Sequence, residues 1–537
     1  MIFIEILVGI LFAAAAVIGV KSILFIFKKK PGPLPPGPKG LPLLGNIGDL
    51  PTHGEREWEH WLKHKDIYGP RVYSSSDAIS PFSGINASRL DVKMPADMYL
   101  ALELLEKKSS KYSSRPMQEF ASLTGWTNIL GMRQYGETHR LHRKVSHMLV
   151  GTHLTVMPYL PIQEIEVRRF LFRVLKEPKQ FLDHIRTEAG AIILKIVYGY
   201  TVEPSKPDPL IDLIDEAMFQ FAAASTAGAW WVDVIPALKY IPEWMPGTGW
   251  KKIAKRWRAT LDEVSEKPLL FAQRRLANGR SEKSFVTDFH KSKGDTLSPA
   301  DNEVLKWVAM NMYAGGSDTT VNTITSFFFA MILFPEVQRK AQEEIDRVVG
   351  SSRLPTYNDR KDLPYINAVL TEAWRWHTVV PMALPHATTS EDIVNGYFIP
   401  KGSLVIPNIW WFTHDPSVYP NPSEFNPSRY LGPDPTPDPT THIFGYGRRI
   451  CPGRYLADTS AWLTIAQSLA VFNISKGLDE SGIEIEPIPR STPGAISRLE
   501  PFKATIKPRS PQHEFLIRQV EEMHPWEAGS ADELRRW

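Results

Sequence analysis

The sequence predicts a mainly α-helical body carried behind an N-terminal membrane anchor, and three observations point that way. The stretch "LSPADNEVLKWVAMNMYAGGSDTTVNTITSFFFAMILFPEV" reads as a single helix of roughly 35 residues, about 50 Å long. Leu363–His377 and the run "RYLADTSAWLTIAQSLAVF" after Gly453 add two further helical patterns. Met1 to Phe27 carries only Glu5 and Lys21 as charged residues, and a membrane span needs roughly 20 apolar residues.

The totals narrow the function classes. Hydrophobic residues make up 43% of 537, ample for a large core. A net charge of +3 supplies no global field for nucleic acid. No internal repeat is apparent. Cys451 is the only cysteine, which excludes an internal disulfide and the multi-thiolate cages of structural zinc or iron–sulfur centres. A lone cysteine is most often a small buried hydrophobe, so its neighbours must decide its role.

Lys28, Lys29 and Lys30 follow the apolar run and direct the rest of the chain to the cytoplasmic side. A cleaved signal peptide competes with the anchor, but its basic n-region is missing and the apolar run is long for one. "PGPLPPGPKG", residues 31 to 40, cannot continue a helix and acts as a semi-rigid hinge. The expected division is anchor 1–27, basic and Pro/Gly-rich hinge 28–40, catalytic body 41–510 and polar tail 511–537.

In the long helix Ser298 is the expected N-cap, Pro299 suits the first turn, and Pro335 stops the helix after Phe334. Its middle, "AGGSDTT" at residues 314 to 320, places two glycines and mediocre helix formers in an interior, at about 1 kcal/mol per glycine relative to Ala. Close helix packing explains the glycines. A local widening beside a ligand, with Asp318 and Thr319 handling protons, explains all of these residues. In "LPYINAVLTEAWRWH", Glu372 and Arg375 share one helix face. Among apolar neighbours the pair needs a third polar partner, and Arg429 of "FNPSRY" is the candidate.

In "FGYGRRICPGR" the glycines permit tight turns, and Cys451 sits at a helix N-terminus among Arg448, Arg449 and Arg454. Dipole and cations are expected to favour the thiolate. A nucleophilic cysteine fits this chemistry too, with a histidine brought from elsewhere in the fold.

Phe444, Gly447, Arg449, Cys451 and Gly453 match every fixed position of F-x-x-G-x-R-x-C-x-G. "GGSDTT", the Glu372–Arg375 pair and "PSEFNPSRY" match three further motifs in the same order and spacing. On these residues the chain resembles the cytochrome P-450 family of haem-thiolate monooxygenases, from about residue 31 to 510. The resemblance implies that family's fold, mainly α with small β-sheets, with haem b held between the long helix and the cysteine-loop helix. It implies Cys451 as axial iron ligand, Arg449 on a haem propionate, and Phe444 and Gly453 beside the cofactor. Arg143 fits the arginine of W-x-x-x-R, but His139 stands where tryptophan is usual. His386 in "LPHATT" occupies a position that often touches a propionate. "TGW", "HATT", "GRRICPGR" and "ISRLEPFKATIKPRS" resemble fungal enzymes of secondary metabolism, polyketide-oxidising members included.

The implied reaction inserts one atom of dioxygen into a hydrophobic substrate, with Asp318 and Thr319 passing protons. Substrate-pocket residues are expected at Met310, Asn311, Ala314, Gly315, Val379, Val380, Met382 and Ile496. No G-x-G-x-x-G after a strand and no P-loop appear, so electrons come from a partner: NADPH-cytochrome P-450 reductase, with cytochrome b5 as the other candidate donor. The implied location is the endoplasmic reticulum membrane, single-pass, with the body facing the cytosol. The Trp- and Pro-rich segment 228 to 247 reads either as a surface that dips into the bilayer or as core packing. The alternatives are a haem-thiolate isomerase or dehydratase that does not use dioxygen, a non-catalytic haem-binding membrane protein, and a cysteine-dependent hydrolase or transferase.

Overall fold

The computed structural model describes residues 31–38, 46, 49, 51–52, 54–68, 73–75, 92–94, 97–204, 206–226, 229–294 and 297–535. The expected anchor, 1–27, and Lys28 to Lys30 lie outside the described residues. Among the described residues no single helix is long and apolar enough to cross a membrane. The hinge enters the described region at residue 31, where the Pro33 carbonyl accepts the Phe398 N–H at 2.7 Å.

Helices of eight residues or more are α1 Glu57–Tyr68, α2 Glu137–Val150, α3 Leu160–Lys176, α4 Phe181–Tyr198, α5 Pro209–Ser225, α6 Gly249–Ala277, α7 Phe285–Lys293, α8 Pro299–Leu333, α9 Pro335–Val348, α10 Pro364–Trp376, α11 Arg454–Val471 and α12 Pro511–Arg518. The strands are short: β1 Tyr73–Ser75, β2 Val92–Met94, β3 His386–Ala387, β4 Asp392–Val394, β5 Tyr397–Ile399, β6 Leu404–Val405, β7 Phe472–Lys476 and β8 Ala504–Pro508. They form a mixed sheet in the order β1-β2-β6-β3 and two antiparallel hairpins, β4-β5 and β7-β8. In the mixed sheet β2 runs parallel to β6 with Val92 opposite Leu404, and His386 pairs Val405.

The long helix forms as its ends dictate. Ser298 accepts the Asp301 N–H at 3.1 Å, and α8 then runs to Leu333, where Pro335 opens the next helix. It crosses the core against α4, α6, α10 and α11. The expected widening is absent: residues 314–320 stay α-helical. The hydroxyls bond back to the preceding turn instead, Ser317 to the Tyr313 carbonyl at 2.8 Å and Thr319 to the Gly315 carbonyl at 2.7 Å. Such back-bonding uses the hydroxyls without opening the helix.

Glu372 and Arg375 on α10 are both fully buried, joined by two hydrogen bonds of 2.8 and 2.9 Å. The carboxylate also accepts Arg429 Nε at 3.1 Å, the Tyr430 hydroxyl at 2.9 Å and the Asn426 N–H at 2.8 Å. Arg375 donates onward to the Thr413 and Glu424 carbonyls. Arg429 therefore is the third partner the sequence suggested, and Tyr430 is a fourth.

Residues 511–535, expected as a polar tail, pack into the body. Leu516, Ile517 and Val520 are buried, and Trp526 lies over the guanidinium groups of Arg169 and Arg173. Glu527 pairs with Lys195 at 2.9 Å.

Replacing Glu372 with Gln leaves two guanidinium groups without a counter-charge in a dry interior, where breaking a buried pair costs about 3–5 kcal/mol. Denaturant titration should show a loss of that size for Glu372→Gln and a smaller one for Arg429→Lys.

Candidate active site

The cysteine loop is shaped by its glycines and tied down from two sides. Gly447 has φ +48°, and a Cβ there would lie 2.7 Å from the Leu105 carbonyl oxygen, so the position requires glycine. Residues 447–449 make one 3-10 turn, and the Cys451 N–H closes the loop onto the Phe444 carbonyl at 2.7 Å. Arg143 of α2 donates to the Ile450 carbonyl, and Glu106 accepts the Gly447 N–H. Gly453 caps α11, and Phe444 meets Trp374 edge-on at 5.3 Å.

The expected thiolate is not supplied by the loop's own charges. Burial pushes the Cys451 thiol above its ordinary value; the Gly453 and Arg454 N–H groups and the Arg143 and Arg454 charges pull the other way and are outweighed. A thiolate at this position calls for a stronger positive centre than the neighbouring side chains provide, as a metal ion is.

Beside the loop lies a cluster of cations without anions. Arg449 donates to the carbonyls of Ser113, Leu130 and Arg133 at 2.7, 3.0 and 2.7 Å. Arg115 donates to those of Gly131, Leu384 and Pro385 at 2.7, 2.6 and 2.8 Å. With Arg143, three guanidinium groups converge, and among the described residues none of them has a carboxylate partner. Burial lowers all three from their ordinary value, Arg449 to about 10, with the neighbouring arginine charges adding to it at Arg115 and Arg449.

The same site holds His139 and His386, both buried. Burial first, then the nearby arginine charges, brings His139 down to about 3 and holds His386 well below its usual range. His386 Nδ1 donates to the Tyr112 carbonyl at 2.7 Å, and His139 Nδ1 has no protein partner. Such a set fits a ligand bearing carboxylates, and the two propionates of a haem meet that demand. The sequence reading missed Arg115; its only local signal was an arginine set before proline in "YSSRP".

Cluster and cysteine border one cavity of about 370 Å³, which α8 crosses. His139, Arg143, His386, Phe444, Arg449, Cys451 and Gly453 all line it, as do Asn311, Ala314, Gly315, Thr319, Val379, Val380 and Ile496. Three expectations differ. Met310 is buried in the core, and its neighbour Met312 reaches the cavity instead, because two helical positions differ by about 200°. Met382 packs against the cluster of Trp61, Ala387 and Leu404. Asp318 does not border the cavity either.

Asp318 and Thr319 are about 100° apart on α8 and serve different spaces. Thr319 faces the main cavity; Asp318 lines a small cleft with Arg186, Asp215 and Ser317. Arg498 grips the carboxylate at 3.0 and 3.2 Å. Burial raises the Asp318 pKa against the opposing pull of Arg498. Arg498 lies 180 residues away in the chain, a pairing that spacing cannot reveal.

The glycines divide the same way. A Cβ on Gly316 would meet Ile193 of α4 at 2.9 Å, whereas nothing lies within 4 Å of one on Gly315. Gly316 lets two helices touch, and Gly315 leaves room in the cavity.

A carboxyl that sequence reading also missed, Glu188 of α4, lines the far wall. Its Oε1 accepts the Thr464 hydroxyl at 2.5 Å and its Oε2 has no protein partner. Burial drives its pKa up to about 8, against the Thr464 bond and the Arg173 charge.

The segment 229–247 combines both readings of its tryptophans. Trp230 stacks on Phe120 with centroids 3.5 Å apart, as core packing. Trp231, Tyr240 and Trp244 are 66%, 78% and 82% exposed.

The sequence matches the cytochrome P450 family model over residues 35–487. It is 47% identical over 505 residues to the cytochrome P450 monooxygenase claR of Ampulloclitocybe clavipes, covering 93% of this chain and 91% of that one. Identity is 43% over 495 residues with the multifunctional cytochrome P450 monooxygenase af510 of Aspergillus fumigatus, covering 91% and 90%. With the O-methylsterigmatocystin oxidoreductase of Aspergillus flavus it is 38% over 508 residues, covering 94% and 93%.

Two outcomes test this geometry. Gly316→Ala should cost about 1–2 kcal/mol by crowding Ile193, after the gain in helix propensity is subtracted. Gly315→Ala should gain up to about 1 kcal/mol in the ligand-free protein while narrowing the cavity; denaturant midpoints separate the two. For Glu188 the folded protein keeps a proton between pH 4.5 and about 8 that the unfolded chain releases. Its contribution therefore lowers stability as pH rises through that window. Thermal midpoints against pH should lose this component of slope in Glu188→Gln.

Proposed function

Because the chain belongs to the cytochrome P450 family, we propose that it is a haem-thiolate monooxygenase of fungal secondary metabolism. It inserts one atom of dioxygen into a neutral, largely apolar organic substrate. The observation that carries this reading is the meeting, in one cavity, of the single cysteine, three guanidinium groups without carboxylates, and the Gly315–Thr319 wall of the long helix.

Haem, when bound, supplies dioxygen activation and the oxidation of a substrate C–H bond. Cys451 Sγ would hold the iron, and the haem is haem b, with no second cysteine in the chain to tether it. Arg115, Arg143, Arg449 and His386 would hold its propionates, with His139 beside them. Phe444 and Gly453 shape the loop under it. Thr319 Oγ1, which donates to the Gly315 carbonyl, holds and passes a proton at the cavity wall. Asp318 and Arg498 form the outer station of the relay, with Arg498 reaching partly exposed surface. Transfer between the two stations runs around the helix rather than along one face.

Monooxygenases of this family take electrons from a redox partner. The donor proposed here is NADPH-cytochrome P450 reductase, with cytochrome b5 as an alternative, meeting the exposed Arg448 and the nearby Arg454 beside the cysteine loop. Residues 1–27 anchor the protein in the endoplasmic reticulum membrane with the body on the cytosolic side. The exposed Trp231, Tyr240 and Trp244 support contact of the body with a bilayer surface, since amphipathic rings of this kind favour the interface.

Reduced, haem-loaded protein under carbon monoxide should show the long-wavelength Soret band of a thiolate-ligated haem, and Cys451→Ser should abolish it. Thr319→Ala should keep the band while releasing reducing equivalents as hydrogen peroxide; unchanged coupling of electron use to product would count against the relay.

A further inference from the structure

Many of the cavity's uncharged polar side chains are already engaged. Thr323 bonds the Thr319 carbonyl, Thr378 bonds Thr413, His377 bonds the Ser497 carbonyl, and Ser460 bonds Gln163. Thr319 is bonded to Gly315, as described. Among the described residues Asn311 and Thr320 have no hydrogen bond, and the Trp126 Nε1 and His139 Nδ1 groups are unpartnered as well. Thr320 lies nine residues beyond Asn311 and hence on the opposite flank of α8. Asn311 is the residue whose side chain offers the cavity both a donor and an acceptor with no partner among the described residues, and it is set in a helix whose neighbouring residues Met310 and Met312 are buried. The apolar share of the lining comes from side chains such as Trp126, Met218, Phe221, Val379 and Ile496.

We propose that Asn311 is a specificity-determining residue that hydrogen-bonds an oxygen function on the substrate, so that the natural substrate is a neutral, bulky apolar molecule bearing a carbonyl or hydroxyl group away from the carbon that is oxidised. The inference rests on the monooxygenase reading of the cavity. An amide left unpaired in an apolar enclosure costs about 1–3 kcal/mol. A site that carries one discriminates strongly against ligands lacking the matching group. Carboxamide chemistry sets the partner: Nδ2 donates and Oδ1 accepts, and neither neutralises a charge. The charged groups that face the cavity belong to the arginine cluster and Glu188.

The helix also provides a ruler. Asn311, Gly315 and Thr319 line the same cavity at i, i+4 and i+8, so the amide stands about 6 Å from the open glycine and about 12 Å from the proton-handling hydroxyl along the axis. A ligand oxygen held at Asn311 therefore leaves two or three fused rings' length to reach the oxidising end. A short ligand satisfies one station or the other, not both.

The test is a binding titration on ferric, haem-loaded protein, read by the Soret shift and without turnover. Two matched pairs serve as probes: fluorenone against fluorene, and anthrone against dihydroanthracene. The quantity compared is the ketone-to-hydrocarbon affinity ratio, which a purely structural change leaves alone because both members of a pair fill the same space. One net hydrogen bond corresponds to roughly a three- to ten-fold change in that ratio. It should fall by this factor in Asn311→Leu and in Asn311→Ala, and Asn311→Thr, which keeps a hydroxyl, should hold part of it.

An equal ratio in wild type and both apolar variants overturns the proposal, as does a wild type that binds neither ketone while showing the carbon monoxide band. Absence of that band in the wild type would instead bring down the haem-thiolate reading itself, so the two failures are distinguishable.

Discussion

The constraint on which the site depends is a concentration of positive charge at the cavity wall that no carboxylate among the described residues neutralises. Arg115, Arg143 and Arg449 reach one wall of the cavity from three separate segments, and the acceptors they find are backbone carbonyls. Carbonyl dipoles satisfy N–H groups but do not cancel charge, and an unpaired buried ion costs several kcal/mol. The geometry around them is correspondingly held in place. Leu384 and Pro385, which receive Arg115, follow Ala383 in the left-handed conformation with φ 51°. Ser113, which receives Arg449, adjoins Tyr112, whose carbonyl receives His386. Burial first, and the arginine charges second, disfavour a further cation on either imidazole in this wall. A dianionic cofactor edge, as proposed, would resolve the imbalance beside the cysteine loop.

What the sequence made legible follows from this division of labour. Short-range motifs carry backbone requirements: glycines where the cysteine loop turns, a proline and a capping serine at the ends of the long helix, an acid and an arginine one turn apart. These were readable because the physics that demands them acts within a few residues. Arg115, Arg498 and Glu188 were not, since each acquires its role from contacts made across more than a hundred residues of chain. Met310 was expected at the cavity and Met312 is there, a two-position shift that a helix turns into another face. The expected helix widening failed for a local reason. Serine and threonine bond to the carbonyl four residues back as readily as they loosen a helix, and here they do the former.

The motif "AGGSDTT" shows how residues adjacent in sequence acquire separate duties. Gly316 lets α8 touch α4, Gly315 keeps a space open, Thr319 faces that space, and Asp318 turns toward Arg498 in another cleft. One stretch of helix thus joins packing, room in the cavity and the proposed proton path. A substitution at any one position perturbs a different property, although all of these positions belong to one string of small and polar residues.

The cavity is consequently asymmetric in chemistry. In the proposed reading its cationic wall would hold the cofactor edge and its cysteine the iron, which leaves neither free to recognise a substrate. Recognition falls to the apolar side chains, which measure size and shape, and these discriminate weakly: an additional methylene changes affinity by only about 1–3 kcal/mol. The contact proposed for Asn311 would change that balance, because it would reject ligands for lacking a group rather than for having the wrong outline. Relatives that keep the cysteine loop, the arginines and the threonine while changing the residue at the Asn311 position would share the reaction and differ in what they oxidise.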